Sequence, residues 1–403
     1  MKILNNLLLF CTALAMISCD GPIGYIIHKL KTDTQCYSYN TTDTIKDDTI
    51  RFVISKNNRM LLKAEINGVE DTVQYDSGAG MAAALFYDEN NKPEDLKFYR
   101  MYLMGADKLT KMRMTTIPVE IKTPMCTVNH FGEAFLVSNN HSCDNEKEIY
   151  DYNIIGFAGL DFRPLAINFT KKQIYHLKQQ AMLDTTGYIP VKCKFDKKVL
   201  FIYPIINGIE YECVFDTGND FGILIKDKQR VKNKSDNDLL YEGIWGKAIG
   251  GTTKKQSFVV SQETTIEFAG IKETTPVVYL ESNLANNNVG LQYIKRFDWI
   301  IDTEFDTVRH DNENHYWIAN YKMYAKPHNA DTLKMRSKPR YGIFSTNNTL
   351  TINSRLLDGN EVFKVGDRIV SVDGVKITEE NICDYYDLLT SKEDWSEFDI
   401  KVE

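Results

Sequence analysis

Two stretches of this chain align with one another without a gap: "INGVEDTVQYDSGAG" from Ile66 and "INGIEYECVFDTGND" from Ile206. Asn67, Gly68 and Asp76 thereby correspond to Asn207, Gly208 and Asp216, 140 residues further on. In each copy an Asn-Gly pair joins two strand-like runs, "MLLKAEI" to "VQY" and "VLFIYPI" to "CVF", which is a hairpin signal. A D-[S/T]-G triplet then closes the second run. Further landmarks follow in the same order: "NIIGFAGLDFRPLAINFTKKQIY" and "NNVGLQYIKRFDWIIDTEFDTV" place Gly156 twelve residues before Asn168 and Gly290 twelve before Asp302. Repeats of roughly 20 to 50 residues build solenoids, so a period this long predicts a duplicated, mainly β domain instead.

Ser77 invites a reading as a nucleophile. A G-x-S-x-G elbow, however, needs glycine two residues before the serine, and Tyr75 stands there. The reactive groups are better sought in the carboxylates that both copies keep.

Asp76-Ser77-Gly78 and Asp216-Thr217-Gly218, followed by Ile154-Ile155-Gly156 and Asn288-Val289-Gly290, resemble the doubled motifs of the pepsin and retropepsin type of aspartic protease, over roughly residues 50 to 325. The resemblance implies a two-lobed acid protease fold of duplicated β-barrel-like halves, with lobes at 51–185 and 186–325. Asp76 and Asp216 would be the catalytic pair, activating one water to hydrolyse a peptide bond without metal or cofactor. Two carboxylates close together cannot both ionise readily near neutrality, so they hold one shared proton. In the family the hydroxyls matching Ser77 and Thr217 bond across to the partner loop, and glycines matching Gly78 and Gly218 leave room for the approach. Flap hairpins are expected around Gly105 in "YLMGAD" and around Gly250 and Gly251 in "WGKAIGGTTKK", although ordinary turns explain these glycines equally well. Asn288 departs from the apolar residue expected at its place, which leaves the packing of the second half open.

Residues 326–338 are polar and proline-marked, and read as a linker. Beyond them, "YGIFS", "VFKVGDRIVSVDGVKI", "EENICDYYDLLTS" and "FDIKVE" resemble a PDZ domain over 339–403, a small β-domain with a helix. That resemblance implies that a loop at Tyr341, Gly342, Ile343 and Phe344 receives a peptide C-terminus or an internal segment. Such a tail is expected to fold as a separate unit, and its removal from about Pro339 to leave short-peptide hydrolysis intact.

The first residues, "MKILNNLLLFCTALAMISCDG", combine Lys2, an apolar run too short to span a bilayer, and small Ser18 before Cys19. "MISC" resembles a bacterial lipobox, implying a signal peptide at 1–18, lipid on Cys19 and a polar tether over 19–50 on a cell-envelope membrane, facing the periplasm or the surface. Export permits disulfides, and Cys126 with Cys143 or Cys193 with Cys213 are possible pairs that sequence cannot decide. Cys126, His130, His141 and Cys143 lack the tight spacing of a zinc finger, so no metal is expected. With 403 residues, 43% hydrophobic, and a net charge of −7 the chain is an ordinary globular one without a basic surface, which argues against nucleic-acid binding. Because both triplets lie in one chain, the expected catalytic unit is a monomer. The competing expectation is a peptide-binding lipoprotein on the same scaffold that does no chemistry.

Overall fold

In the computed structural model the two Asn-Gly pairs are the same turn. Asn67 and Gly68 have φ of 51° and 82°, and Asn207 and Gly208 have 49° and 82°. Both central residues are thus left-handed, the conformation that matches the twist of a two-residue hairpin. Each asparagine also ties its turn to a neighbouring strand: the Asn67 side-chain oxygen accepts from the Glu120 amide at 2.8 Å, and that of Asn207 from the Thr265 amide at 3.1 Å. The structure describes Pro22, Tyr25, Ile26 and residues 49–104, 109–137, 143, 152–160, 164–176, 184–196, 199–248, 251–281, 286–310, 313–328, 339–346 and 348–403. The signal segment, Cys19, Gly105 and Gly250 lie outside them, as do most of the tether and the linker.

The chain is mainly β. Its first half contains β1 (Thr49–Ile54), β2 (Met60–Ile66), β3 (Val69–Asp76), β4 (Ala83–Tyr87), β5 (Tyr99–Met104), β6 (Leu109–Lys122), β7 (Thr127–Leu136), β8 (Ile154–Gly156), β9 (Leu165–Asn168) and β10 (Gln173–His176). The second half contains β11 (Ile189–Val191), β12 (Cys193–Asp196), β13 (Val199–Ile202), β14 (Ile205–Ile206), β15 (Ile209–Glu210), β16 (Cys213–Asp216), β17 (Ile223–Lys226) and β18 (Asp238–Gly243). It continues with β19 (Lys247–Ala248), β20 (Gly251–Thr252), β21 (Gln256–Phe268), β22 (Ile271–Leu280), β23 (Asn287–Gly290), β24 (Phe297–His310) and β25 (Glu313–Pro327).

The pairings of one half repeat in the other. β3 runs parallel to β8 with Asp76 opposite Gly156, and β16 runs parallel to β23 with Asp216 opposite Gly290. β4 lies between β7 and β8 as β17 lies between β22 and β23. The antiparallel run β5, β6, β7 has its counterpart in β18, β21, β22. Between the halves, β1, β10, β9, β24, β25 and β11 form one continuous sheet whose central contact sets Ile167 of β9 opposite Trp299 of β24. Trp299 is fully buried against Phe215, ring centres 4.7 Å apart, with Phe268 and Phe297 around it. Burying each such ring stabilises by about 1.5–3 kcal/mol, so the strand that ends in Asp216 is anchored in a buried aromatic cluster.

After Pro339 come β26 (Tyr341–Thr346), β27 (Thr349–Leu356), β28 (Arg368–Val372), β29 (Val375–Lys376), α1 (Ile382–Thr390) and β30 (Ile400–Val402). This tail has its own core of Tyr341, Ile343, Leu350, Ile352, Ile369, Val372, Leu389 and Trp395. It is nevertheless not joined to the rest through a linker alone, contrary to expectation. β27 pairs with β18, setting Tyr241, Glu242 and Gly243 opposite Leu356, Arg355 and Ser354, so the second half and the tail share one sheet. Arg355 forks onto Glu242 at 2.9 and 3.1 Å. A strand edge left open by β18 is what makes this docking possible.

Among the described residues the disulfide departs from both expected pairs. Cys143 bonds Cys383 of α1, 240 residues away, and tethers the first half to the tail, while Cys193 and Cys213 are free thiols. Tyr25, expected within a loose tether, is buried against the first half, where its hydroxyl meets Thr116 at 3.2 Å. Among the described residues no helix is long and apolar enough to cross a membrane.

Candidate active site

Each D-[S/T]-G triplet stands at the end of a buried strand, and the two meet where the halves face one another. Ser77 Oγ donates to the Phe215 carbonyl at 2.7 Å and accepts from the Thr217 amide at 3.0 Å. Thr217 Oγ1 donates to the Tyr75 carbonyl at 3.0 Å and accepts from the Ser77 amide at 2.9 Å. Both hydroxyls are completely buried. Four reciprocal hydrogen bonds therefore fix the register of one triplet on the other, and a hydroxyl already committed as donor and acceptor is poorly placed to attack a substrate.

The glycines serve the same approach. A Cβ on Gly78 would fall 2.5 Å from the carboxyl carbon of Asp216, and one on Gly218 would fall 2.1 Å from that of Asp76. Each carboxylate thus rests on the backbone of the opposite half. Asp76 Oδ1 accepts from the Gly78 amide at 2.9 Å. Asp216 Oδ1 accepts from the amides of Gly218 and Asn219 at 2.9 and 3.1 Å. Each carboxyl lies within reach of the other's charge, so the pair does not readily ionise twice.

Burial raises both carboxyls above the usual range. For Asp76 the negative charge of Asp216 and the hydrogen bond to it raise the value further, whereas hydrogen bonds from Asn288, Asp76 and two backbone amides restrain the rise at Asp216. Both shifts are upward, so the pair retains a proton above the pH at which a free carboxyl would lose it. Beside them the buried Tyr75 phenol is pushed upward by burial and by Asp76, and stays neutral.

Several residues at this centre were not singled out from sequence. Asn288 Nδ2 donates to Asp216 Oδ2 at 2.5 Å, so the residue that departs from the apolar pattern is a ligand of a carboxylate. Gln74 Nε2 crosses to the Gly218 carbonyl at 3.2 Å. Asn58, in the turn between β1 and β2, reaches the Asp220 carbonyl at 2.9 Å and accepts from Lys295 at 2.7 Å, bracing the halves on a second line. One signal was legible for Asn288: it stands where the aligned copy has the apolar Ile154.

Of the expected flap glycines, Gly251 lies in the short β19–β20 hairpin, where Ala248 pairs with Gly251. Gly105 and Gly250 lie outside the described residues. Tyr341, Gly342, Ile343 and Phe344 sit in strand β26, paired with β27, and not in a loop. Burial draws them there: Tyr341 packs 5.0 Å from Trp395 and 5.2 Å from Phe363, and Ile343 joins the same core. Among the described residues no group of three or more His, Cys, Asp or Glu is placed to hold a metal.

Fold and site together define a mainly β chain in which two repeated halves hold one pair of facing carboxyls. No protein-family profile matches the chain, and no curated protein does. Among solved structures, a retropepsin-like aspartic protease from Rickettsia conorii is similar over 31% of this chain and 87% of its own, at 17% identity and a TM-score of 0.22. A likeness that slight carries no argument about what this chain does.

Proposed function

We propose that the chain is an aspartic-type endopeptidase, exported and tethered to a membrane through Cys19. The observation that carries this reading is the close approach of the two triplets, Asp76 against Gly218 and Asp216 against Gly78, held by the crossed Ser77 and Thr217 hydroxyls. One protonated and one ionised carboxyl supply both halves of general acid–base chemistry. Water adds to the peptide carbonyl carbon while passing a proton to Asp216; the Asp76 proton goes to the carbonyl oxygen as its π bond breaks. The resulting diol collapses as Asp216 gives its proton to the amine nitrogen and Asp76 takes one from a diol hydroxyl; the C–N bond breaks, the C=O bond reforms, and the pair regains its starting protonation. The carboxyl positions are preset, so little of the barrier goes into orienting them.

A peptide substrate in extended form would lie between the two halves, beneath the β5–β6 and β19–β20 hairpins, adding its backbone to their edges. The tail is read as a PDZ-like domain that recruits or orients protein substrates along β26. A single chain provides both aspartates, so the working unit is a monomer.

The test is hydrolysis of a peptide library by the purified mature chain from acidic to neutral pH, alongside Asp76→Asn and Asp216→Asn. Cleavage by the wild type that both substitutions abolish supports the proposal. Cleavage unchanged in both removes it, and a wild type that binds peptides without cleaving them supports the non-catalytic alternative.

A further inference from the structure

The two halves match so closely that a difference between them beside the carboxyls marks a difference in the carboxyls' roles. Asn288 of β23 and Ile154 of β8 occupy equivalent places, each two residues before the glycine that pairs with an aspartate. Ile154 has no donor to offer Asp76. Asn288 has one, and its direction is set by a relay. The Phe221 amide donates to Asn219 Oδ1 at 2.9 Å; Asn219 Nδ2 donates to Asn288 Oδ1 at 2.6 Å; Asn288 Nδ2 then donates to Asp216 Oδ2 at 2.5 Å. A backbone amide can only donate, so each side-chain amide in turn has a single consistent orientation, and the last presents N–H groups to the carboxylate.

With the amides of Gly218 and Asn219, this gives Asp216 donors on both oxygens. Among the described residues, the groups facing it are otherwise Asp76 from β3 and the backbone of Gly78, and next to Asp76 the neutral Tyr75. Donors to an ionised carboxylate stabilise that form.

We propose that Asn288, oriented by Asn219, is a positioning residue that makes the pair unequal, keeping Asp216 as the ionised member and the shared proton on Asp76. It thereby decides which carboxyl takes the proton from water and which protonates the carbonyl oxygen. The mechanistic half of this statement rests on the hydrolytic reading above. The assignment of the proton does not.

The test labels aspartate carboxyl carbons with ¹³C and follows the pair by NMR against pH, with Asp76→Asn and Asp216→Asn assigning the two signals. No hydrolysis is needed. Asp216 should ionise first in the wild type. In Asn288→Ile, which copies the first half, that first ionisation should move up by about one pH unit, and Asn219→Ala should move it the same way by less. If Asn288→Ile does not fold, Asn219→Ala carries the reading alone. Asp76 ionising first, or an unmoved titration in a folded variant, overturns the proposal. Where peptide cleavage is measurable, the acid limb of kcat/KM should shift upward with the titration. A rate lowered equally at every pH would show Asn288 to be merely structural. A wild type without cleavage would sink the hydrolytic reading and leave the titration to decide this one.

Discussion

Gly218 lies so close to Asp76 that a Cβ placed on it would stand 2.1 Å from the carboxyl carbon. Alanine there must push the carboxyl or the loop aside, and Gly78→Ala must do the same to Asp216, at 2.5 Å. Displacements of about 1 Å at a reacting group lower rates by about a hundredfold. Gly218→Ala and Gly78→Ala should therefore lose at least that in kcat for peptide cleavage, with far-ultraviolet circular dichroism unchanged. Full activity in either would mean that the carboxyls need not be held this closely.

The crossed hydroxyls make a stability prediction. Ser77→Ala leaves the buried Thr217 amide and the Phe215 carbonyl without this partner, at about 1–3 kcal/mol. Thr217→Ser keeps the hydroxyl and should lose less than Thr217→Ala. Urea midpoints measure both; equal losses for Ser and Ala at position 217 would argue that the methyl group, and not the hydroxyl, matters.

Stability should also depend on pH through Asp76. Burial, then Asp216, holds its carboxyl protonated well above the usual range. Between the unfolded and folded pKa values the folded state binds more protons, so this contribution is complete below the unfolded value, about 3.9, and is lost as pH rises through the folded one. Asp76→Asn cannot ionise and escapes that loss. Its melting temperature should gain on the wild type as pH rises from about 4 towards neutrality. Parallel curves would contradict the assignment.

The turns were legible in the sequence because their chemistry is local: Asn67-Gly68 and Asn207-Gly208 tolerate the left-handed backbone that a two-residue hairpin demands. The β character was legible from the same runs. Asn288 was not, because its role depends on Asn219 and Phe221, which reach it only once β16, β17 and β23 are assembled. The Cys143–Cys383 bond joins residues 240 apart and leaves no local trace. The docking of β27 on β18 was hidden for a similar reason, since an edge strand has the same alternation whether its edge is covered or open.

That docking changes the expectation for the tail. Deletion from about Pro339 removes β27 from β18, breaks Arg355 from Glu242 and leaves Cys143 without its partner. β18 leads directly to the β19–β20 hairpin. The truncated chain should melt at lower temperature, aggregate more readily through the bared edge, and cleave even short peptides more slowly. Arg355→Ala alone, in a partly exposed ion pair, should cost about 1 kcal/mol or less. Unchanged melting and unchanged short-peptide cleavage after truncation would restore the modular account.

The central claim is that one chain makes one site from Asp76 and Asp216. Initial rates of peptide cleavage by the wild type, by Asp76→Asn, by Asp216→Asn and by an equimolar mixture of the two variants test it most directly. The wild type alone should cleave, with a rate proportional to its concentration, and the mixture should stay inactive because neither chain contains both carboxyls. Cleavage retained by either variant, or recovered on mixing, would contradict it.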